Sequence, residues 1–353
     1  MHFAARRDGI RVMITRGFLA AAALCAIALA APLRAQSPND QARFLAGLPV
    51  SDAKLAPLTE RKAWKTHAAW LESSWQRMDR RQLLGVRGWA QSRIPELHNS
   101  GTPLLYFFSG PDFLYAHTFF PSASSYVLCG IEPVGALPDV GSLPPESVDG
   151  ELAGLRGSLN TILRTHYFIT KDMRVDLSRS RLGGTLPVLY TFLARTGCTI
   201  RSVQLLPDGV RIDFRGGLGR RQTLYYYKVD LANGAANDAF FKTCRSFAPA
   251  HSLVKSASYL LHGERFSEAR DFLLENSKVL LQDDTGIPFR YFDPKRWQVR
   301  LHGAYFRHGD TFGKYDQAGL ESAFQTSGAT PLGFSFGYHW QKERGMILVA
   351  RRR

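Results

Sequence analysis

The sequence PLLYFFSGPDFLYAHTFFPSASSYVLCGI, residues 103–131, decides the expected fold. It contains two apolar runs, 103–108 and 126–131, on either side of FLYAHTFF, a segment that predicts a short helix ending before Pro121. Strands that are apolar at every position are typical of parallel sheets covered on both faces. This stretch therefore predicts a βαβ unit with a buried pair of parallel strands.

Apolar periodicity elsewhere in the chain predicts helices that flank this unit. A stripe at helical spacing indicates a helix that begins near Thr59, and its members are Trp64, Ala68, Leu71, Trp75 and Met78. Further helices are expected at 151–165, 182–196 and 256–276. Helices that alternate with apolar strands are typical of α/β folds.

Alternating apolar and polar residues predict antiparallel strands in the second half of the chain. Residues 199–231 indicate a meander, because Asp208-Gly209 between two alternating runs is typical of a hairpin turn. Later strand candidates are 277–282, 297–306, 334–340 and 346–350. The expected fold class is α/β, with mixed α+β as the alternative: a central mixed sheet with flanking helices and an antiparallel C-terminal part.

The N-terminus has the three parts of a secretory signal peptide. Residues 1–17 contain four arginines, residues 18–31 form an apolar run of fourteen, and small and polar residues follow. Because a membrane-spanning helix needs about 20 apolar residues, this run is too short for a permanent anchor. We therefore expect cleavage after Ala35 and a periplasmic or secreted protein without a transmembrane segment.

Three segments are expected: a signal peptide at 1–35, a flexible polar lead-in at 36–57 and one globular domain at 58–353. Residues 136–150, rich in Pro and Gly, are the candidate for a boundary inside that domain. The net charge of +15 falls to about +11 once the five Arg and one Asp of the signal peptide are removed. A basic exported protein favours an anionic partner such as an envelope component, and no recognition motif points to nucleic acid.

Three cysteines remain after removal of the signal peptide: Cys129, Cys198 and Cys244. An oxidising compartment permits a disulfide, and the odd count leaves one thiol over. Cys198 and Cys244 flank the predicted meander, whose return would bring its ends together, so they are the expected pair. Cys129 lies in an apolar run and is interpreted as a small buried hydrophobe.

Polar residues cluster where the two apolar runs of 103–131 end. Ser109 and Asp112 follow the first run, Glu132 follows the second, and His117 lies in the helix between them. Ligands bind outside the carboxyl ends of strands in open α/β sheets, so Asp112 is expected as a catalytic base and the other three as substrate ligands. The structural alternative is a turn in which Asp112 caps the next helix. A dinucleotide fingerprint needs three glycines and this loop has one, so no cofactor is expected.

The sequence QDDTGIPFRY at 282–291 is the second polar cluster beside an apolar strand candidate. Asp283 and Asp284 are expected as catalytic carboxylates that divide the acid and base roles. Arg290 can hold a carboxylate or phosphate by two parallel hydrogen bonds, and Tyr291 is expected beside it as a substrate ligand. An ordinary Asp-Asp-x-Gly turn is the alternative, because neighbouring strand residues point to opposite faces.

Two further clusters have ordinary explanations. His302, His308 and Asp310 are residue types that bind metals, but nothing in their spacing makes them converge, so no metal is expected. Four basic residues around Gly216-Gly217 suit an anionic group, although a solvated hairpin tip also explains them; they are Arg215, Arg220, Arg221 and Lys228.

The blocks FFSGPDFLYAHTFFP and LLQDDTGIPFRYFD resemble a family of exported bacterial proteins that share them. The resemblance covers most of the exported part and implies no activity, cofactor or catalytic residue. The first hypothesis is an extracytoplasmic enzyme-like protein whose polar cleft, formed by both blocks, acts on an anionic or polar envelope component. A non-catalytic periplasmic binding or scaffold protein is the alternative, and a Rossmann-like domain without a functional cofactor loop is the second.

Overall fold

One mixed sheet organises the computed structural model, which describes residues 37–168, 181–308, 310–338 and 345–353. Its nine strands are β1 (Leu104–Tyr106), β2 (Ser125–Gly130), β3 (Thr199–Leu206), β4 (Gly209–Arg215), β5 (Arg221–Lys228), β6 (Ala250–Val254), β7 (Ser277–Gln282), β8 (Trp297–Gly303) and β9 (Met346–Arg352). Their order across the sheet is β3-β4-β5-β2-β1-β6-β7-β9-β8. The predicted mixed α/β class is confirmed.

Helices cover both faces of this sheet. Those described are α1 (Pro38–Leu45), α2 (Ala56–Thr59), α3 (Lys62–Met78), α4 (Leu84–Arg93), α5 (Pro95–His98), α6 (Phe113–Phe119), α7 (Val148–Thr165), α8 (Leu186–Arg195), α9 (Asp238–Ser246), α10 (Ser267–Asn276) and α11 (Ala318–Ser327). The helix predicted from the stripe that ends at Met78 is α3, and a π-helical turn, Asp79–Leu83, joins it to α4. None of the described helices has the length and apolarity that a membrane span requires.

The strand pairing explains the sequence pattern. Strands β5, β2, β1, β6 and β7 are mutually parallel, and the βαβ unit predicted for 103–131 is β1-α6-β2. The predicted meander is β3-β4-β5; its first hairpin turn is Pro207-Asp208, and Gly209 is already the first residue of β4. At the other edge β9 runs antiparallel to both β7 and β8, so the expected antiparallel C-terminal part is also present.

Successive residues of the central strands enter two different cores, because side chains alternate across a strand. Leu104 and Tyr106 of β1 pack on the first face, beneath α1, α3, α6, α7 and α8. Leu105 and Phe107 pack on the second face, beneath α9, α10 and α11. The sheet is therefore the middle of three layers, which is why β1 and β2 are apolar at almost every position.

The flexible lead-in predicted for residues 36–57 is wrong. Helix α1 lies within that range, and Phe44 and Leu45 are fully buried against the first face. Two side chains of α3 bind the last carbonyls of α1: Trp64 Nε1 donates to Phe44 O at 3.0 Å, and His67 Nε2 lies 2.8 Å from Leu45 O. No division occurs at 136–150 either, because residues 36–353 form one compact unit.

Three further element predictions need correction. The predicted helix 256–276 is α-helical only from Ser267: its first residues adopt positive φ angles, and two 3-10 turns, Leu260–His262 and Glu264–Phe266, precede the helix. The predicted strand 334–340 is a loop as far as residue 338, and residues 339–340 lie outside the described part of the chain. The central strand β6 was not predicted at all.

The expected Cys198–Cys244 disulfide is wrong. Cys198 packs in the core of the first face and Cys244 in that of the second, so the sheet separates them. All three described thiols are free and buried. Burial raises the pKa of Cys129 to about 12, as expected for a thiol that acts as a small hydrophobe.

Candidate functional site

A cleft of about 500 Å³ lies at the carboxyl ends of the parallel strands. The chain leaves β1 through α6, which covers the first face, and leaves β6 through α10, which covers the second face. Because neighbouring strands continue in opposite directions, the loops after β1 and β6 separate and leave a crevice. We call this crevice the first cleft; Ser109, Asp112, Glu132 and Lys255 are among its lining residues.

Lys255, the residue directly after β6, forms the floor of the first cleft. Its side chain is 1% exposed, and Nζ lies 3.4 Å from Asp112 Oδ2. Nζ also donates to His166 O at 2.7 Å and lies 4.1 Å from the centre of the Tyr115 ring. A buried ammonium group needs such partners, because burial without them costs several kcal/mol, about the stability of a small domain.

Asp112 joins the lysine to the first face. Oδ1 accepts from the Tyr115 backbone N–H at 3.0 Å, which caps α6, and Oδ2 accepts from Tyr106 Oη at 2.9 Å. Burial lowers the pKa of Lys255, while Asp112 and Asp283 oppose that shift. The helix cap anticipated as the structural alternative for Asp112 is present, and the same carboxylate also carries the charge that pairs with Lys255.

The loop after β1 is fixed to the end of β2. The Gly110 N–H donates to Cys129 O at 3.0 Å, and Ser109 Oγ accepts from the Cys129 N–H at 3.2 Å. A Cβ at Gly130 would lie 3.0 Å from Gly110 Cα, so only glycine allows this close approach. Ser109 therefore lines the first cleft but uses its hydroxyl to hold the loop.

Strained backbone is concentrated around the first cleft. Five described residues other than glycine have positive φ angles, namely Phe108, His166, Ser256, Ser258 and Tyr259. Three of them line the cleft, and the carbonyl of His166 receives the hydrogen bond from Lys255. Each such residue costs about 1–3 kcal/mol, and strain of this kind is typical of ligand sites and active sites.

Glu132 lies where β2 ends and is 2% exposed although it lines the first cleft. Tyr226 Oη donates to Glu132 O at 3.0 Å and lies 3.3 Å from Oε2, and no described cation forms an ion pair with the carboxylate. A buried carboxylate with a single neutral donor is incompletely paired. The side chain is therefore suited to accept hydrogen bonds from a ligand.

Asp283 and Asp284 follow β7 but do not line the first cleft. Asp283 accepts from the Ser256 backbone N–H at 2.8 Å and from Thr285, so it supports the loop that carries Lys255. Burial, together with the charge of Asp284, raises the pKa of Asp283 to about 6. Asp284 points the other way, as alternation along a strand requires, and accepts from Tyr259 Oη at 2.7 Å.

His117 was expected to bind substrate, but the structure places it in the core of the first face. Its ring lies 5.2 Å from that of Phe113, and Nε2 is 3.8 Å from Cys198 Sγ. Burial lowers the pKa of His117 to about 4, so the imidazole is neutral near neutral pH. The ring points away from the first cleft because the side of α6 that carries His117 faces the sheet.

Arg290 and Tyr291, also expected in the polar cleft, lie outside the first cleft in the turn Phe289–Tyr291. Arg290 lines a neighbouring second cleft of about 500 Å³. Tyr291 packs beneath Arg270, whose guanidinium carbon is 4.2 Å from the ring centre. The two blocks that were predicted to share one cleft therefore contribute to adjacent sites.

The remaining polar clusters stay separate. His302 on β8 packs against Trp89, with 5.1 Å between the rings, whereas His308 lies between Asp284 and Asp316 at 3.0 and 2.8 Å. The side chain of Asp310 lies outside the described residues. Among the residues that are described, no group of three His, Cys, Asp or Glu is placed to hold a metal ion.

The basic residues of the β4-β5 hairpin do not contribute to either cleft. Arg215, Arg220 and Arg221 are exposed at its tip, and Lys228 at the other end of β5 is exposed as well. This arrangement is the solvated hairpin tip anticipated as the ordinary explanation.

Sequence reasoning missed Lys255 because it missed β6. The run AHSLV is five residues long and carries His and Ser, so neither its length nor its composition distinguishes it from a loop. The only available signal was the apolar pair Leu253-Val254 followed directly by a charged residue, as the apolar run of β2 is followed by Glu132. Comparisons with protein-family models, with curated proteins and with solved structures found no match.

Proposed function

We propose that this protein is an exported, enzyme-like protein whose first cleft binds a small anionic or polar component of the cell envelope. The signal-peptide pattern at 1–35 supports export to the periplasm or the medium. The observation that carries the proposal is the buried Lys255–Asp112 pair at the crevice between β1 and β6. Buried charge and strained backbone in one cleft favour a functional site over a purely structural one.

Lys255 is the group that meets the substrate. A lysine whose pKa is lowered by burial gives up its proton more readily than an exposed lysine, so it suits general acid–base chemistry. Asp112 and Tyr106 are positioning residues, because they hold Nζ and the start of α6 in place. Asp283 positions the loop that begins at Ser256 by accepting a hydrogen bond from its backbone N–H. This assignment replaces the sequence-based roles of Asp112 and Asp283 as catalytic bases.

The test is conversion of small envelope components by protein purified after expression of the full chain. Wild type is incubated with a low-mass envelope extract, and substrate consumption is followed by mass spectrometry. We expect Lys255→Met to slow the reaction about 10²- to 10⁴-fold, the usual contribution of a general acid or base. Lys278→Met, at an exposed lysine on β7, is the matched control and should retain the wild-type rate.

The double variant Asp112→Asn/Lys255→Met, which leaves no unpaired charge, replaces the single one if that variant does not fold. A component that binds without being consumed would indicate the non-catalytic binding protein. If no component binds or is consumed, or if Lys255→Met converts it at the wild-type rate, the proposed function is wrong.

A nucleoside is the second candidate ligand, because the five parallel strands follow the order of dinucleotide-binding folds. When only these five strands are numbered, from 1 to 5 in chain order, the spatial order β5-β2-β1-β6-β7 becomes 3-2-1-4-5. An acidic residue after the second strand binds ribose hydroxyls in those folds, and Glu132 lies there. A pyrophosphate is disfavoured, because the Gly110 N–H already donates to Cys129 O and the Asp112 carboxylate caps α6.

Adenosine and 2′,3′-dideoxyadenosine distinguish this candidate, since only adenosine presents the vicinal hydroxyls. Calorimetry should show binding of adenosine alone, weakened about tenfold in Glu132→Gln, which keeps the shape of the side chain but removes its charge. Equal affinity for both compounds, or no binding of either, would contradict a ribose site.

A further inference from the structure

The second cleft adjoins the first and is rich in positive charge. Four residues line both clefts, and they are Ser258, Leu260, Arg265 and Phe266. Arg290, Lys314 and His262 line the second cleft together with Tyr259 and Tyr315, and no Asp or Glu is among its described lining residues. A ligand bound in the first cleft can therefore reach the basic residues of the second cleft across these shared residues.

Three of these cations have no acidic partner. Arg265, Arg290 and Lys314 form no ion pair with any described carboxylate, although each is oriented by an aromatic ring. The charged groups lie 5.7 Å from the centre of Phe266, 4.8 Å from that of Tyr291 and 5.1 Å from that of Tyr315, respectively. All three side chains are exposed, and stacking of this kind restricts them while leaving N–H donors available; one donor, Arg290 Nη2, lies 3.5 Å from Tyr291 Oη.

The nearby acids are engaged elsewhere. Asp284 accepts from Tyr259 Oη, Asp316 binds His308 Nδ1 at 2.8 Å, and Glu264 lies 3.5 Å from Arg270. None of these acids lines the second cleft or forms an ion pair with Arg265, Arg290 or Lys314 among the described residues, although the charge of Asp284 acts on His262. Like charges around one concave surface repel each other, and a bound anion would remove that repulsion.

His262 adds a neutral donor or acceptor to the same wall. Its Nε2 is buried without a hydrogen-bond partner among the described residues. Burial lowers the pKa of His262 to about 4 and Arg290 lowers it as well, while the backbone and carboxylate of Asp284 and the backbone of Gly286 oppose that shift. An anion bound beside Arg290 would reverse the second effect, so the titration of this imidazole reports occupancy of the second cleft.

We propose that the second cleft binds a phosphate group, which is carried by the ligand of the first cleft. Two guanidinium groups and one ammonium group match the charge and the several acceptor oxygens of a phosphate dianion, and arginine forks fit those oxygens in pairs. The link to a ligand of the first cleft rests on the proposed function, whereas phosphate binding itself does not.

Inorganic phosphate is the probe for the second cleft. We expect saturable binding in calorimetry at constant ionic strength and an upward shift in the pKa of His262 in NMR titrations. Arg290→Gln should weaken phosphate about tenfold, the effect of losing one charge-assisted contact. Arg220→Gln removes an exposed arginine from the β4-β5 hairpin and should leave the affinity unchanged. Equal weakening in both variants, or an unshifted His262, would overturn the proposal.

Glycerol phosphate separates the two sources of the group. If it binds more tightly than inorganic phosphate and Lys255→Met removes only that gain, one ligand spans both clefts. Equal affinities in wild type and Lys255→Met would mean that the second cleft binds free phosphate, so phosphate binding would stand while the link to the first cleft would fail. Absence of binding by either compound refutes the phosphate site without bearing on the activity of the first cleft.

Discussion

The ammonium group of Lys255 compensates the buried negative charge of Asp112 in the first cleft. Asp112 is 2% exposed and Lys255 is its ion-pair partner. Removing one member of a buried pair leaves the other charge uncompensated, which costs more than replacing both with neutral groups. The two residues should therefore contribute to stability as a unit.

Lys255→Met should lower the free energy of unfolding by about 3–5 kcal/mol, because it strands the Asp112 carboxylate. Asp112→Asn/Lys255→Met should lose clearly less, since Tyr106 and the first turn of α6 can still bond the asparagine. Urea unfolding at pH 7 of the wild type, both single variants and the double variant gives the coupling energy. Additive losses would mean that the pair contributes nothing as a pair.

At the scale of elements, the sequence predicted those helices and hairpins whose conformation depends on residues close together in the chain. The apolar stripe ending at Met78 and the Asp208-Gly209 turn predicted α3 and the first hairpin, because helix periodicity and turn chemistry are encoded within a few residues. Strand β6 has no comparable local pattern. It is a strand because β1 and β7 pair with it on either side, and those partners are far away in sequence.

The candidate site was likewise predictable only where its residues follow strands that have a clear local pattern. Asp112 and Glu132 follow recognisable strands, and both line the first cleft as their positions after β1 and β2 suggest. Lys255 follows the strand that was missed, so the only sequence signal for it was the short apolar pair Leu253-Val254. Arg290 was expected in the same cleft, but the turn after β7 takes it to the second one.

On the scale of the whole molecule, the two clefts are joined by the segment 256–266, which links β6 to α10. Its first residues adopt strained backbone conformations, and Asp283 accepts a hydrogen bond from the backbone at its start. Arg265, near its end, lines both clefts. Because one segment forms part of both walls, a ligand that orders it in one cleft also fixes donors in the other. Binding in the two clefts is therefore expected to be cooperative.

Buried histidines should make the whole fold sensitive to mild acid. Burial lowers the pKa of His67, His117, His166, His251 and His262 to about 4, so these rings are neutral in the folded chain, whereas an unfolded histidine takes up a proton near pH 6.5. Between pH 6.5 and 4 the unfolded state thus binds more protons, and stability falls as pH falls. Asp283 and His308, whose pKa values are raised, act in the opposite direction but are outnumbered.

The free energy of unfolding should therefore decrease from pH 7.5 to pH 5, by about 1.4 kcal/mol per pH unit for each net proton. Urea unfolding at fixed ionic strength measures this slope. His67→Gln keeps a donor for Leu45 O but cannot be protonated, so its slope should be smaller by about one proton. A stability that stays level or rises over this range would mean that the histidines are protonated in the folded chain. The core of the first face would then have to admit water beside His67 and His117.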